Sequence, residues 1–512
     1  MRTRSRWNDH DAARFSGELG SRVYTSRLLG QDPALVLYGG GNTSIKVEEQ
    51  GRRVLYVKGS GTDLAHVDER GFVPVDLERA QALLEHEQLD NDEMMALLKG
   101  AVLRPDAPTP SIETLLHAAL PFRYVEHTHA DSILAVANVA AAERVLAQVY
   151  GELAPVVPYR HSGFELAKAC VEVFRQRATP RSIGLILQFH GAVAFGNTAR
   201  ESYENMIDLV ARAEDYLASR DAWTLPEAPA ASLDWEAVAV LRRDASRAAG
   251  FPLILKLVRD PVAMAFAQRA DLEVVSQQGP ATPQHAIFTR RVPLLGRDVA
   301  AYTQRYAEYL ASHLGPDRAR GLDPSPRVIL DPVLGLGALG VNARYAAITA
   351  EVYLHDIAII SRAAAHDTYR AAPPRYIAEA ELAYGGFERA IRRQAEGSRP
   401  LLGQVALVTP GAAKRDPGLA QRLLDQGAAV VLPSPAAVPA LRDEALLPVP
   451  LADSSPASLE QAVQAAVEAF GGVDLLCAVG DGEAWTRVCA PLLALSPVAG
   501  RPERTALGAT SH

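Results

Sequence analysis

Cysteine is scarce. The 512 residues hold three, Cys170, Cys477 and Cys489, none in a C-x-x-C spacing. That odd, scattered set excludes a disulfide framework and a thiolate zinc site, and it fits a reducing compartment. Long apolar runs are missing too, since no uninterrupted stretch reaches the ~18 residues that span a bilayer. The basic start, Met1-Arg-Thr-Arg-Ser-Arg6, has no apolar segment behind it, so no signal peptide is expected. Nor is there a cationic excess: 52 Lys and Arg against 60 Asp and Glu give a net charge of −8. Nucleic acid and anionic membrane surfaces are therefore not the expected partners. What remains is a cytoplasmic globular chain. Its 48% hydrophobic and 22% charged residues exclude wholesale disorder, and at ~150 residues per domain the length suggests about three domains.

Three blocks follow from composition and periodicity. The first, 10–222, mixes expected strands (Leu35–Leu37, Ser44–Glu48, Arg53–Lys58, Tyr124–His129, Ile183–His190) with expected helices (Leu77–Leu84, Asp90–Leu98, Ile112–Ala119, Ala130–Ala137, Glu165–Arg177, Thr198–Leu217). In the last helix Met206, Leu209, Val210, Ala213 and Leu217 keep a 3.6-residue rhythm. Interleaved helices and strands predict a layered α/β domain. Leu225–Ser232, rich in Pro and Ala, reads as a linker to a second block, 233–397, with a strand at Val328–Leu330. Gly397-Ser-Arg-Pro400 separates the third, 401–495, which opens as strand Gln404–Thr409, helix Gly418–Gln426 and strand Ala429–Leu432. The tail after Pro497 is small and polar and is expected to fray.

The chemistry concentrates in the first block. In Glu126-His-Thr-His129, strand alternation turns His127 and His129 to one face and Thr128 to the other. His190, just before Gly191, supplies a third imidazole. Three neutral nitrogens with one open position suit a catalytic zinc, whereas structural sites close with four ligands. Leu37-Tyr-Gly-Gly-Gly-Asn-Thr-Ser44 is a glycine-rich turn whose backbone N–H groups suit a phosphate. Lys58-Gly-Ser-Gly-Thr-Asp63 is a second such loop with a cation beside it. In Pro110-Ser-Ile-Glu-Thr-Leu-Leu-His117, Glu113 is expected to start a helix that Ser111 caps. Each piece alone is more often a plain turn; their order along the chain is what carries information.

In that order, residues 35–215 resemble the class II aldolase/adducin family. The matching pieces are Gly41, Asn42 and Ser44; Ser60 and Gly61; Ser111, Glu113 and His117; the pair His127 and His129; and His190-Gly191. The resemblance implies a three-layer α/β/α domain with zinc, or another divalent metal, on His127, His129 and His190. It implies a phosphate cradle from Asn42, Ser44, Ser60, Gly61 and Ser111, with Glu113 as acid/base. Val157-Pro-Tyr159 is similar to the segment from which family aldolases present a tyrosine to a neighbouring subunit, which makes Tyr159 a candidate second proton carrier. A homo-oligomer, as large as a tetramer, with active sites near subunit interfaces is implied, and a small phosphorylated sugar as substrate.

Through His190-Gly-Ala-Val-Ala-Phe-Gly-Asn-Thr-Ala-Arg-Glu201, Thr282-Pro-Gln-His285 and Asp323-Pro-Ser-Pro-Arg327, the whole chain resembles proteins that join a rhamnulose-1-phosphate aldolase-like half to a short-chain dehydrogenase. On that reading 10–222 is the metal-binding catalytic domain and 233–397 a mixed middle extension of the aldolase half. Block 401–495 is an incomplete, Rossmann-like dehydrogenase remnant. It departs from its family: where the turn should read T-G-x-x-x-G-x-G, the glycine positions hold Pro410, Lys414 and Asp416. Asp416 would set a carboxylate beside a diphosphate, and Pro410 removes a backbone donor. Leu432-Pro-Ser434 offers no acid for a ribose, Ala478-Val-Gly480 replaces Asn-Asn-Ala-Gly, and no tyrosine of a Tyr-x-x-x-Lys pair follows. No NAD(P) binding is expected. Gly335-Leu-Gly-Ala-Leu-Gly340 meets G-x-G-x-x-G literally, but Asp331-Pro332 interrupts the strand before it and a helix is still expected ~20 residues on, where an acidic partner should end a second strand, so a strand-to-helix turn is expected. His285, near Pro283, is a candidate substrate contact of the middle block, with a structural or solvated loop histidine as the preferred reading.

The expected activity is carbon–carbon cleavage or formation in a phosphorylated ketose such as rhamnulose 1-phosphate, releasing dihydroxyacetone phosphate and an aldehyde. A pentulose-phosphate epimerase on the same scaffold stays open. So do an NAD(P)-dependent oxidoreductase, disfavoured by the missing catalytic pair, and a non-catalytic adducin-like module, disfavoured by the intact histidines.

Overall fold

In the computed structural model of the protein the described residues are 3–384, 386–434, 444–453, 455–479 and 482–498. Gly480 and the tail from residue 499 onward lie outside them. The chain divides into two compact units. The first comprises 1–225 with two later returns, 281–284 and 358–372; the second comprises 226–280, 285–357 and 373–512.

The first unit is built on a seven-stranded sheet: β1 (Asn42–Glu49), β2 (Arg52–Lys58), β3 (Phe72–Asp76), β4 (Tyr124–Thr128), β5 (Val156–Val157), β6 (Gly184–Leu187) and β7 (Gly191–Gly196), ordered β3-β2-β1-β4-β7-β6-β5. Neighbours are antiparallel except β5 and β6. One face presents Leu55, Val57, Val73, Val75, Val125, Val193 and Phe195. Helices α2 (Leu77–Ala82), α3 (Asn91–Ala101), α4 (Thr114–Ala119) and α6 (Phe164–Arg177) cover it, burying Met94, Leu98, Leu115, Leu116, Phe164 and Cys170. Helices α1 (Gly17–Gly30), α5 (Asp131–Ala137) and α7 (Ala199–Ser219) lie on the other face. The result is the three-layer α/β/α arrangement.

Local chemistry explains the helix ends. Thr198 caps α7 by accepting from the Glu201 N–H, and Asp90 and Glu93 form a reciprocal capping box on α3. The apolar row Met206, Leu209, Val210, Ala213 and Leu217 is buried. Two expectations need correction. Leu35–Leu37 is not a strand but part of the turn entering β1, and the expected single strand Ile183–His190 is a hairpin in which β6 ends at Leu187 and β7 begins at Gly191.

Behind β4 a buried ion pair ties the sheet to α1. Arg22 and Glu126 are both fully buried, and the Ser202 hydroxyl donates to Glu126 Oε1 at 2.9 Å. Breaking such a pair leaves an uncompensated charge in low dielectric. Glu126→Ala is therefore expected to lower unfolding free energy by about 3–5 kcal/mol, readable as a shift in urea midpoint; an unchanged midpoint would show the pair to be idle.

The second unit carries two sheets. Strands β8 (Ile254–Val258), β9 (Leu294–Leu295), β10 (Val328–Asp331) and β11 (Gly335–Gly340) form one in the order β8-β11-β10-β9. The glycine-rich segment Gly335–Gly340 is thus a central strand, antiparallel to β10 and β8, and not the turn its composition suggested. Parallel strands β12 (Val405–Val408), β13 (Ala429–Ser434), β14 (Leu446–Pro450) and β15 (Leu475–Cys477) form the other, ordered β14-β13-β12-β15. That is the 3-2-1-4 order of half a doubly wound sheet. Helix α8 (Trp235–Ala249) sends Arg242 to Asp474, at 3.1 and 2.7 Å, and to the Gly403 carbonyl at 2.9 Å. Among the described residues no helix is long and apolar enough to cross a membrane.

Candidate metal centre

Strand β4 runs between β1 and β7, pairing His127 with Asn42 on one side and with Val193 on the other. Pleating therefore puts Asn42, Ser44 and His127 on the face that carries α4, while Glu126 and Thr128 point at α1 and α7. Thr128 confirms the alternation, its hydroxyl lying 3.2 Å from Met206 Sδ. His129 follows β4, and its backbone N–H donates to the Leu35 carbonyl. His190 occupies the β6–β7 turn. Gly191 follows it with φ +149°, and a Cβ there would lie 2.1 Å from the Thr128 carbonyl, so only glycine lets this turn close on the end of β4.

Three imidazoles converge. The candidate ligand nitrogens of His127, His129 and His190 all lie within 4.8 Å of one another, with the Nε2 atoms of His127 and His129 2.9 Å apart. All three side chains are buried. His127 Nδ1 faces the Ala192 carbonyl at 2.9 Å. A carbonyl only accepts, so Nδ1 carries the proton and Nε2 presents a lone pair. Glu113 closes the group, with Oε1 3.1 Å from His190 Nε2 and Oε2 3.5 Å from His127 Nε2. A tetrahedral centre with nitrogens at ~2.0–2.1 Å would hold them about 3.3 Å apart. The donor set fits a divalent cation. The His127 Nε2 lone pair faces His129 Nε2, and a buried carboxylate stands beside it, an arrangement that a divalent cation would satisfy.

Glu113 occupies the N-cap position of α4, and its backbone N–H donates to the Ser111 hydroxyl at 3.2 Å, so Ser111 braces the turn without capping the helix itself. Burial opposes the Glu113 charge, but His127 and His190 beside it, together with the Asn42 amide, hold its carboxyl well below the usual carboxylate range. Asn42 Nδ2 lies 2.5 Å from Glu113 Oε2 and 3.2 Å from Ser111 Oγ. Ser44 is fully buried, its hydroxyl 2.8 Å from His117 Nδ1.

The remaining candidates lie further out. Ser60 and Gly61 are exposed, on a loop tied to the Ser111 segment by the Ser60 N–H bonding the Thr109 carbonyl at 2.8 Å. Beneath it Lys58 is buried, donating to the Gly39 carbonyl at 3.0 Å, and burial pushes its ammonium down to about 8. Tyr159 is half-buried, its ring 6.3 Å from that of Phe189, the residue before His190. The sequence assigns no role to His117 or to Gln284. His117 is a fully buried link between Ser44 and Asn42. Gln284 returns to the first unit, where a Cβ on Gly40 would lie 3.2 Å from its Nε2 and 3.4 Å from His129 Nδ1. In the second unit His285 is buried, its Nδ1 2.9 Å from Asp356 Oδ1, so it is not solvated.

Residues 21–217 match the family model described as class II aldolase and adducin N-terminal domain, and 232–390 match the one described as aldolase class II, second domain. The two matches together cover more than half of the chain, which belongs to the class II aldolase/adducin family. Among curated proteins it is similar to the "uncharacterized oxidoreductase YuxG" of Bacillus subtilis (strain 168), 29% identical over 391 residues. That alignment covers 70% of this chain and 56% of the relative, so the chain spans about half the length of the protein it matches. Among solved structures it is similar to the N-terminal class II aldolase domain of a conserved protein from Thermoplasma acidophilum, at 37% identity and TM-score 0.39, covering 42% of this chain and 99% of that one. It is also similar to L-fuculose-1-phosphate aldolase from Thermus thermophilus, at 20% identity and TM-score 0.27, covering 39% and 95%.

Proposed function

We propose that the chain is a metal-dependent aldolase that cleaves a small phosphorylated ketose, such as rhamnulose 1-phosphate, into dihydroxyacetone phosphate and an aldehyde. The observation that carries this reading is the convergence of three buried imidazoles and one carboxylate on a single point. His127, His129 and His190 would hold the cation, zinc in first place. Bound there, it supplies Lewis-acid stabilisation of the negative charge that develops on the three-carbon fragment. Glu113 delivers a proton to the carbon that the aldehyde leaves, and removes it in the condensation direction. Ser60, Gly61 and Ser111, with Asn42 and Ser44 behind them, cradle the phosphate and fix the orientation of the reacting carbons. Tyr159, presented by a neighbouring copy in a homo-oligomer up to a tetramer, takes the proton of the hydroxyl that becomes the aldehyde.

Within this proposal 10–222 is the catalytic domain, 233–397 its extension and 401–495 a Rossmann-like remnant without nicotinamide chemistry. Support for the last point lies at the end of β12. A helix opens directly on Pro410 with Thr409 as its cap, where a dinucleotide fold needs a glycine turn, and Asp416 is paired with Arg422. Calorimetry with NAD and NADP is expected to show no heat of binding; micromolar affinity would contradict it.

The reaction itself is tested by incubating metal-loaded protein with a panel of ketose phosphates and assaying dihydroxyacetone phosphate. Its release, with an aldehyde, supports the proposal. Isomerised pentulose phosphate without released triose assigns an epimerase instead, and no turnover of any sugar phosphate overturns both.

A further inference from the structure

Ser44, His117, Asn42 and Glu113 form one hydrogen-bonded row, out of water throughout. The Ser44 hydroxyl sits 2.8 Å from His117 Nδ1, His117 Nε2 bonds Asn42 Oδ1, and Asn42 Nδ2 reaches Glu113 Oε2 at 2.5 Å. Counting donors fixes every proton in it. An ionised carboxylate only accepts, so the Asn42 amide must turn its NH2 to Glu113, where its second hydrogen serves Ser111 at 3.2 Å. Asn42 Oδ1 then faces His117, so Nε2 carries the ring proton and Nδ1 accepts from Ser44. Turning the amide over would set Oδ1 against the carboxylate, two acceptors opposed in a dry site, and would move the His117 proton to Nδ1. Burial also pushes His117 down to about 3, which keeps the ring neutral.

We propose that His117 is a positioning residue: its Nε2–H locks the Asn42 amide in the orientation that donates to Glu113, and so aims the acid/base carboxylate at the histidine cluster. The inference rests on the proposed role of Glu113. Ser44 follows rather than sets this tautomer, its hydroxyl free to donate to Nδ1 once Asn42 Oδ1 has taken the Nε2 proton. The chain is continuous with the metal centre through β-sheet pairing, because Asn42 stands opposite His127.

The test uses two full-length variants and one spectrum. His117→Phe keeps the ring and removes both nitrogens, whereas His117→Gln returns an amide donor. Both are expected to keep the parent's circular dichroism and metal content. In His117→Phe, kcat should fall about 10²-fold, the scale of a misaimed catalytic group, with KM changing by less than about threefold. His117→Gln should recover at least about tenfold of that loss. A Phe variant with parental kcat, or equal losses in both, overturns the proposal. Should His117→Phe not fold, the parent protein decides. A long-range ¹H–¹⁵N spectrum with labelled histidine should show His117 as the Nε2–H tautomer at pH 7, and an Nδ1–H ring or an imidazolium overturns the proposal. That spectrum needs no substrate, so a parent with the expected tautomer but no aldolase turnover defeats the proposed reaction alone.

Discussion

Glu113→Gln is expected to stop turnover while leaving the metal in place, with kcat lower by about 10²–10⁴-fold, the usual worth of a positioned acid/base. The substitution is isosteric, and its amide oxygen can still accept from Asn42, so the row of hydrogen bonds behind it survives. What it loses is the ability to carry a proton to and from carbon. Three imidazoles remain to hold the cation, so elemental analysis should show parental metal content. A variant with parental kcat would remove Glu113 from the chemistry, and one without metal would make it a ligand.

His129→Ala should behave in the opposite way, losing metal and activity together. Removing even an outer partner of a ligand costs about 10–100-fold in metal affinity, and removing one of three nitrogens must cost more. His129 sits after the end of β4, its backbone held by the Leu35 carbonyl, so truncating its side chain leaves the strand pairing of His127 intact. Titrating apo protein with zinc and following turnover in parallel checks the coupling. Full activity with no bound metal would overturn it.

These two results also mark what the sequence discloses. His127 and His129 share a face because strand side chains alternate, and that rule needs only two residues of spacing. His190 is different. Nothing local brings it to β4, and only the resemblance pointed there; a hairpin turn that Gly191 alone can close does the rest. The resemblance names the four residues of the row through His117 but not the bonds between them, since the partners of His117 lie 73 and 75 residues away on another element. Gly335–Gly340 shows the converse error. The structure needs glycine there for room: a Cβ on Gly337 would meet Leu255 and Ile329, and one on Gly340 would overlap the backbone of Ala346. Sequence cannot separate a glycine required for space from one required for a turn, so a buried strand was read as a loop.

Elemental analysis of the purified parent beside a variant with His127, His129 and His190 all replaced by alanine addresses the central claim directly. About one divalent ion per chain, present in the parent and gone from the variant, is the expected result. An ion retained after all three imidazoles are removed would contradict it.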